Sequence, residues 1–293
     1  MTKLDLITDV MMFIAAVAGL LSSLFNYFEI PKKGQFFVAV FFLSSLLSDY
    51  YWTTYSLVMH VEPDVSEIMA YFGWNVSYIL LLITAIYMRE EGARKFIHPL
   101  MFLPIPLNTV QFLIYIQFGG IFNNVWQVSF STAVAVICLQ SVLYYLKNKK
   151  NGAKVPYFHI LAVLYVLCEY VTWTSSCYIW IDSITNPYYL FAVFSYVAEV
   201  FFAWSIKKTY VSAGLVYPEK NAKEIRFQAI LQIIVCVVLA IGCIGGYTLA
   251  SWMKASLPAG TENADVFNII AIMLFLISIF VVIIILGIVF IVT

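Results

Sequence analysis

The chain has 293 residues, of which 63% are hydrophobic and only 11% charged, whereas a soluble domain carries about 25% charged residues. Apolar runs of about 20 residues recur along the whole length, so lipid must be the main solvent and no stretch is left for a separate water-soluble domain. Formal net charge is zero and no Lys/Arg-rich arm is present, which excludes nucleic acid as a partner.

In chain order, the predicted membrane-spanning helices cover 7–30, 36–58, 67–88, 99–118, 124–146, 157–180, 187–206, 227–252 and 266–292. The first starts within MTKLDLITDVMMFIAAVAGL, which lacks a basic leader and an early cleavage site, and reads as a span. Orientation follows from the basic residues, because positively charged loops stay in the cytoplasm. Lys32 and Lys33 follow the first span; Arg89, Arg94 and Lys95 the third; Lys147, Lys149, Lys150 and Lys154 the fifth. Lys207, Lys208, Lys220, Lys223 and Arg226 lie between the seventh and eighth, leaving only Lys3 and Lys254 on the opposite side. The expected architecture is therefore an all-α, polytopic bundle of about nine transmembrane helices in the cell membrane, with its N-terminus outside and its C-terminus cytoplasmic. It divides into a seven-helix body (1–208), a cytoplasmic linker (209–225) and a two-helix appendage (226–293).

Within the fourth span, Pro99, Pro104 and Pro106 predict a kink beside Asn108 and Gln111, because proline frees backbone carbonyls. In the eighth, Gly242, Gly246 and Ala250 form a small-residue face, and Gly242/Gly246 is a candidate homodimer contact. The ninth is apolar around its whole circumference and expected to face lipid. The five cysteines lie in apolar segments without a CxxC pair, so neither a disulfide framework nor a zinc site is indicated.

The second span contains Asp49-Tyr50-Tyr51-Trp52-Thr53 and the sixth Glu169-Tyr170-Val171-Thr172-Trp173-Thr174, an acid followed by Tyr and then Trp-Thr. A weaker echo pairs Asn75-Val76-Ser77-Tyr78 with Val193-Phe194-Ser195-Tyr196. Together these suggest a parallel 3+1+3 body, similar in organisation to the rhodopsin-like and PQ-loop families. The chain departs from both: the seventh predicted span has no lysine for a retinal Schiff base, and no Pro-Gln pair opens a helix.

A carboxylate in mid-bilayer costs about 2.5–3.5 kcal/mol on insertion scales and normally faces a bundle interior or a wet cavity. Asp49, Glu169 and Glu199 qualify, while Glu29 is expected to pair at the interface with Lys32 and Lys33. No lysine or arginine lies at the depth of the three acids, so each must be protonated, held by neutral donors or matched by an external cation. Aromatic faces attract cations and stack on sugars or heterocycles, and a nearby carboxylate fixes an amine or hydroxyl. Asp49, Trp52, Tyr55, Asn75, Tyr78, Glu169, Trp173 and Glu199 are therefore the candidate ligand-binding residues, around an outward-opening pocket. The bland alternative is a hydrogen-bonded network that fastens the helices. The three histidines, His60, His98 and His159, stand at or near helix ends and are expected to be interfacial. No HExxH, GxSxG or P-loop motif is present, and no cofactor is indicated.

Four stretches carry a resemblance: SDYYWTTYSLVMH, YFGWNVSY, FIHPLMFLPIPLNTVQFLIYIQFGGIFNNVWQ and PYFHILAVLYVLCEYVTWTSSC. They resemble the multi-pass sensor regions that precede histidine-kinase output domains in bacterial signalling proteins, over roughly residues 20–210. The resemblance implies a ligand-sensing membrane module followed by a cytoplasmic kinase-type domain. The sequence stops at Thr293 with no signalling helix or ATP-binding region, so an excised input region is expected. The competing expectation is a secondary transporter on the same body, using Asp49, Glu169 or Glu199 as a proton or cation site.

Overall fold

The computed structural model describes residues 3–59, 62–64, 68–180, 185–216 and 222–241, with Gly245, Thr248, Leu249 and Trp252. Every regular element among them is helical. The long helices are α1 (Lys3–Glu29), α2 (Lys33–Met59) and α3 (Ile68–Met88); a single turn, α4 (Glu91–Arg94), leads to α5 (Pro104–Tyr115) and α6 (Ile121–Asn148). There follow α7 (Tyr157–Ser176), α8 (Pro187–Val200), α9 (Phe202–Ser212) and α10 (Ala222–Ala240). Among the described residues six helical stretches are long and apolar enough to cross a membrane, seven if α8 and α9 count as one span. The chain is a helical membrane bundle. The ninth predicted span and the Gly242/Gly246 face lie outside the described residues.

Two elements differ from their expectation, each for a local reason. The prolines of the fourth predicted span do not kink a continuous helix. Pro99–Phe102 forms a 3-10 turn, and Pro104 opens α5 in its first turn, where a missing N–H costs nothing. His98 caps the 3-10 turn by accepting a hydrogen bond from the Leu100 N–H. The seventh predicted span is broken, with α8 and α9 meeting at Phe201 at an angle of 43°.

The chain forms two compact units. The smaller comprises residues 1–14, 49–63 and 219–293, and the larger 15–48 and 64–218. In the larger unit α7 packs against α6, α8 and α9, and α6 against α3 and α5. Its apolar centre is a set of rings: Phe41 lies 5.7 Å from Phe202 and 6.2 Å from Tyr165, and Phe202 lies 5.6 Å from Phe158 and 5.4 Å from Tyr165. Edge-to-face contacts of this kind add to the stabilisation from burial alone. Gly73 allows α2 and α3 to meet, because a Cβ there would collide with the Ser44 backbone carbonyl. Outside, Leu47, Phe72, Leu113 and Leu167 are exposed, whereas Asn75, Asn108, Gln111, Asn123 and Gln140 are buried. Apolar side chains outside and polar ones within is the distribution lipid imposes.

A latch joins α1 and α2 to α9. Lys207 pairs with Glu29 at 3.0 Å, in place of the expected Lys32 and Lys33. The hydroxyl of Tyr210 accepts from the Gly34 N–H, and the Ala203 carbonyl accepts from both Asn26 (3.4 Å) and Gln35 (3.2 Å). Helix geometry explains the exchange of partners: Glu29 ends α1 and faces α9, while Lys33 starts the next helix. His159 is likewise buried rather than interfacial, with its Nε2 2.9 Å from the Ala85 carbonyl.

Candidate functional site

Polar side chains at helical spacing on four apolar helices converge in the larger unit. Asn108, Gln111 and Tyr115 recur along one face of α5; Gln127 and Ser131 do so on α6, and Val166, Glu169, Tyr170 and Trp173 on α7. With Tyr78 of α3 they line a partly open hollow of about 240 Å³ including its mouth. Within it there is room for about one water molecule.

Glu169 is the only acidic side chain in this lining. Its Oε2 accepts from the indole N–H of Trp173 at 2.8 Å, one helical turn on, while nearby Ser195 of α8 gives its proton to the Ala192 carbonyl. Trp173 is held from the other side by Trp74, ring centroids 5.8 Å apart, and the Trp74 N–H donates to the Ser48 hydroxyl. Gln127 lies beside Tyr78 in this lining. The Tyr170 hydroxyl donates to the Leu107 carbonyl.

The two amides are oriented by their surroundings. Gln111 Nε2 donates to the Tyr170 carbonyl at 3.1 Å and to Thr174 Oγ1 at 2.9 Å. Asn108 Nδ2 donates to Thr132 Oγ1 at 2.7 Å and more weakly to Ser131 Oγ at 3.4 Å. Each of those hydroxyls already gives its own proton to a backbone carbonyl, Thr174 to Tyr170 and both Ser131 and Thr132 to Val128. They can only accept from the amides, so the NH₂ groups face the bundle and the carbonyl oxygens remain as what Asn108 and Gln111 can offer.

Of the eight residues singled out in the sequence, Tyr78, Glu169 and Trp173 line this one hollow. Glu199 is buried on α8, close enough to Tyr78 for its charge to be felt there. Asn75, a turn before Tyr78, donates to Asn123 at 3.4 Å and serves the α3–α6 contact. Asp49, Trp52 and Tyr55 fall in the smaller unit. There Asp49 is buried, and its charge is felt at Asp9, as are those of Asp5 and Glu62; Tyr55 lies 5.9 Å from Tyr51. The candidate site is that of the larger unit alone.

Sequence reasoning missed Tyr115, Gln127, Ser131 and Tyr170 as lining residues, and Asp9 as a buried acid. The polar stripe 108–111–115 at three- and four-residue spacing was the available signal for α5. Among the described residues no group of His, Cys, Asp and Glu has the geometry of a metal site. No family model, curated protein or solved structure matches the chain.

Proposed function

We propose that the protein is a sensory input module of the cell membrane: a small ligand from outside binds in the hollow at Glu169, and the bundle relays its presence to a cytoplasmic, histidine-kinase-type domain. In this reading the N-terminus is outside and the hollow opens away from the basic loops. The observation that carries it is the Glu169 carboxylate, held within an aromatic and amide lining that supplies no positive charge. Glu29, by contrast, is matched within the chain by Lys207. Thermal-shift screening of the purified chain against small amines, sugars and nucleobases tests the reading. At least one class should stabilise the wild type and fail to stabilise Glu169→Gln; no stabilisation by any compound would leave only a structural bundle.

A second reading has its own support. The break between α8 and α9 lies two residues after Glu199, and discontinuous helices with intramembrane acids are a feature of secondary transporters. Cation-coupled uptake into proteoliposomes, abolished by Glu199→Gln, would raise the carrier above the sensor.

A further inference from the structure

We infer that the hollow at Glu169 recognises a primary ammonium group, the protonated head of a small alkylamine; this rests on the ligand-binding reading above. The argument is a count of donors and acceptors. The amide protons of Asn108 and Gln111 are committed to neighbouring hydroxyls and a backbone carbonyl, so each amide offers an acceptor. Glu169 adds a carboxylate whose Oε2 already receives the Trp173 N–H. Three acceptor groups, one of them a carboxyl that an arriving cation would hold ionised, therefore line the same small space. A primary ammonium group brings one positive charge and three N–H donors.

Size and shape narrow the class. Room for about one water molecule suits an –NH₃⁺ head, and the partly open mouth leaves space for a short tail. A quaternary ammonium has a favourable charge for the rings of Tyr78, Tyr115 and Trp173 but no N–H and a much larger head. A neutral alcohol brings one donor and leaves the carboxylate without a counter-charge.

The experiment is a thermal-shift and tryptophan-fluorescence titration of the purified full chain at fixed ionic strength. The probes are methylammonium, propylammonium, tetramethylammonium, sodium and 1-propanol. Saturable responses are expected for methylammonium and propylammonium, at least tenfold weaker for tetramethylammonium and absent for sodium and propanol. Glu169→Gln should abolish the response, and Glu169→Asp, which keeps the charge but withdraws it, should weaken it about tenfold. Equal responses to methylammonium and tetramethylammonium, or an undiminished response in Glu169→Gln, would overturn the assignment. If no amine acts while a sugar or nucleobase stabilises the wild type through Glu169, the ammonium inference falls and the sensor reading stands. Silence toward every class removes both.

Discussion

The two polar regions of the larger unit solve the same problem in opposite ways. At the latch, a carboxylate meets an ammonium, Glu29 with Lys207, and side-chain-to-backbone hydrogen bonds tie α1 and α2 to α9 beside it. Around Glu169, a half-buried carboxyl group accepts from a neutral donor, and the amide protons of neighbouring Asn108 and Gln111 go to hydroxyls and a backbone carbonyl. Charge matched by charge within the chain is a fastening. In the reading proposed above, an acid left to neutral company beside a hollow is where an outside cation would bind.

Four substitutions and one labelling experiment sharpen that contrast. The largest effect is expected at the ring cluster that supports the latch: Phe202→Ala should cost about 3–5 kcal/mol, read from unfolding in detergent, because it opens a cavity among Phe41, Phe158 and Tyr165. Lys207→Met should cost about 1 kcal/mol, discounted for the partial exposure of both partners, and adding Glu29→Gln should recover most of it. Glu169→Gln keeps the shape and an acceptor for Trp173, so stability should change by no more than about 0.5 kcal/mol, while ligand response is lost. A loss there as large as at Lys207 would make Glu169 a fastening too. The smallest effect is one of rate. Cys177 lies just beyond the end of α7, and burial pushes its thiol above the ordinary range, with a weaker opposing pull from Ser176. Its thiolate fraction at neutral pH is thus small, so an impermeant maleimide should label it slowly, and faster as pH rises. Labelling from outside intact cells would support the orientation; labelling only after permeabilisation would reverse it.

The class of fold was legible because hydrophobic runs of bilayer length leave few alternatives, and Glu169 stood out because an acid in such a run is costly. The break at Phe201 was not legible, since no proline or glycine marks it and Val200-Phe201-Phe202 reads as an uninterrupted apolar helix. Nor was the partner of Glu29, because a loop lysine four residues away in sequence looks nearer than one brought over by α9. The lining of the hollow was half visible. Glu169 and Trp173 belong to a repeated acid–aromatic segment and Tyr78 to the weaker echo, whereas Gln127 and Tyr115 gain meaning only when α5 and α6 are set beside α7. Side-chain spacing along one helix shows which residues share a face, but not which foreign face they meet.

The Ala203 carbonyl, shared by Asn26 and Gln35, lies two residues past the break at Phe201. One arm of that span is thus moored to the first two helices, and the other, carrying Ser195 and Glu199, lies along α7. A pivot at Phe201 would let the second arm follow an occupant at Glu169 while the first held its place. Anything that slackened the mooring would uncouple that first arm from the turn bearing Lys32 and Lys33.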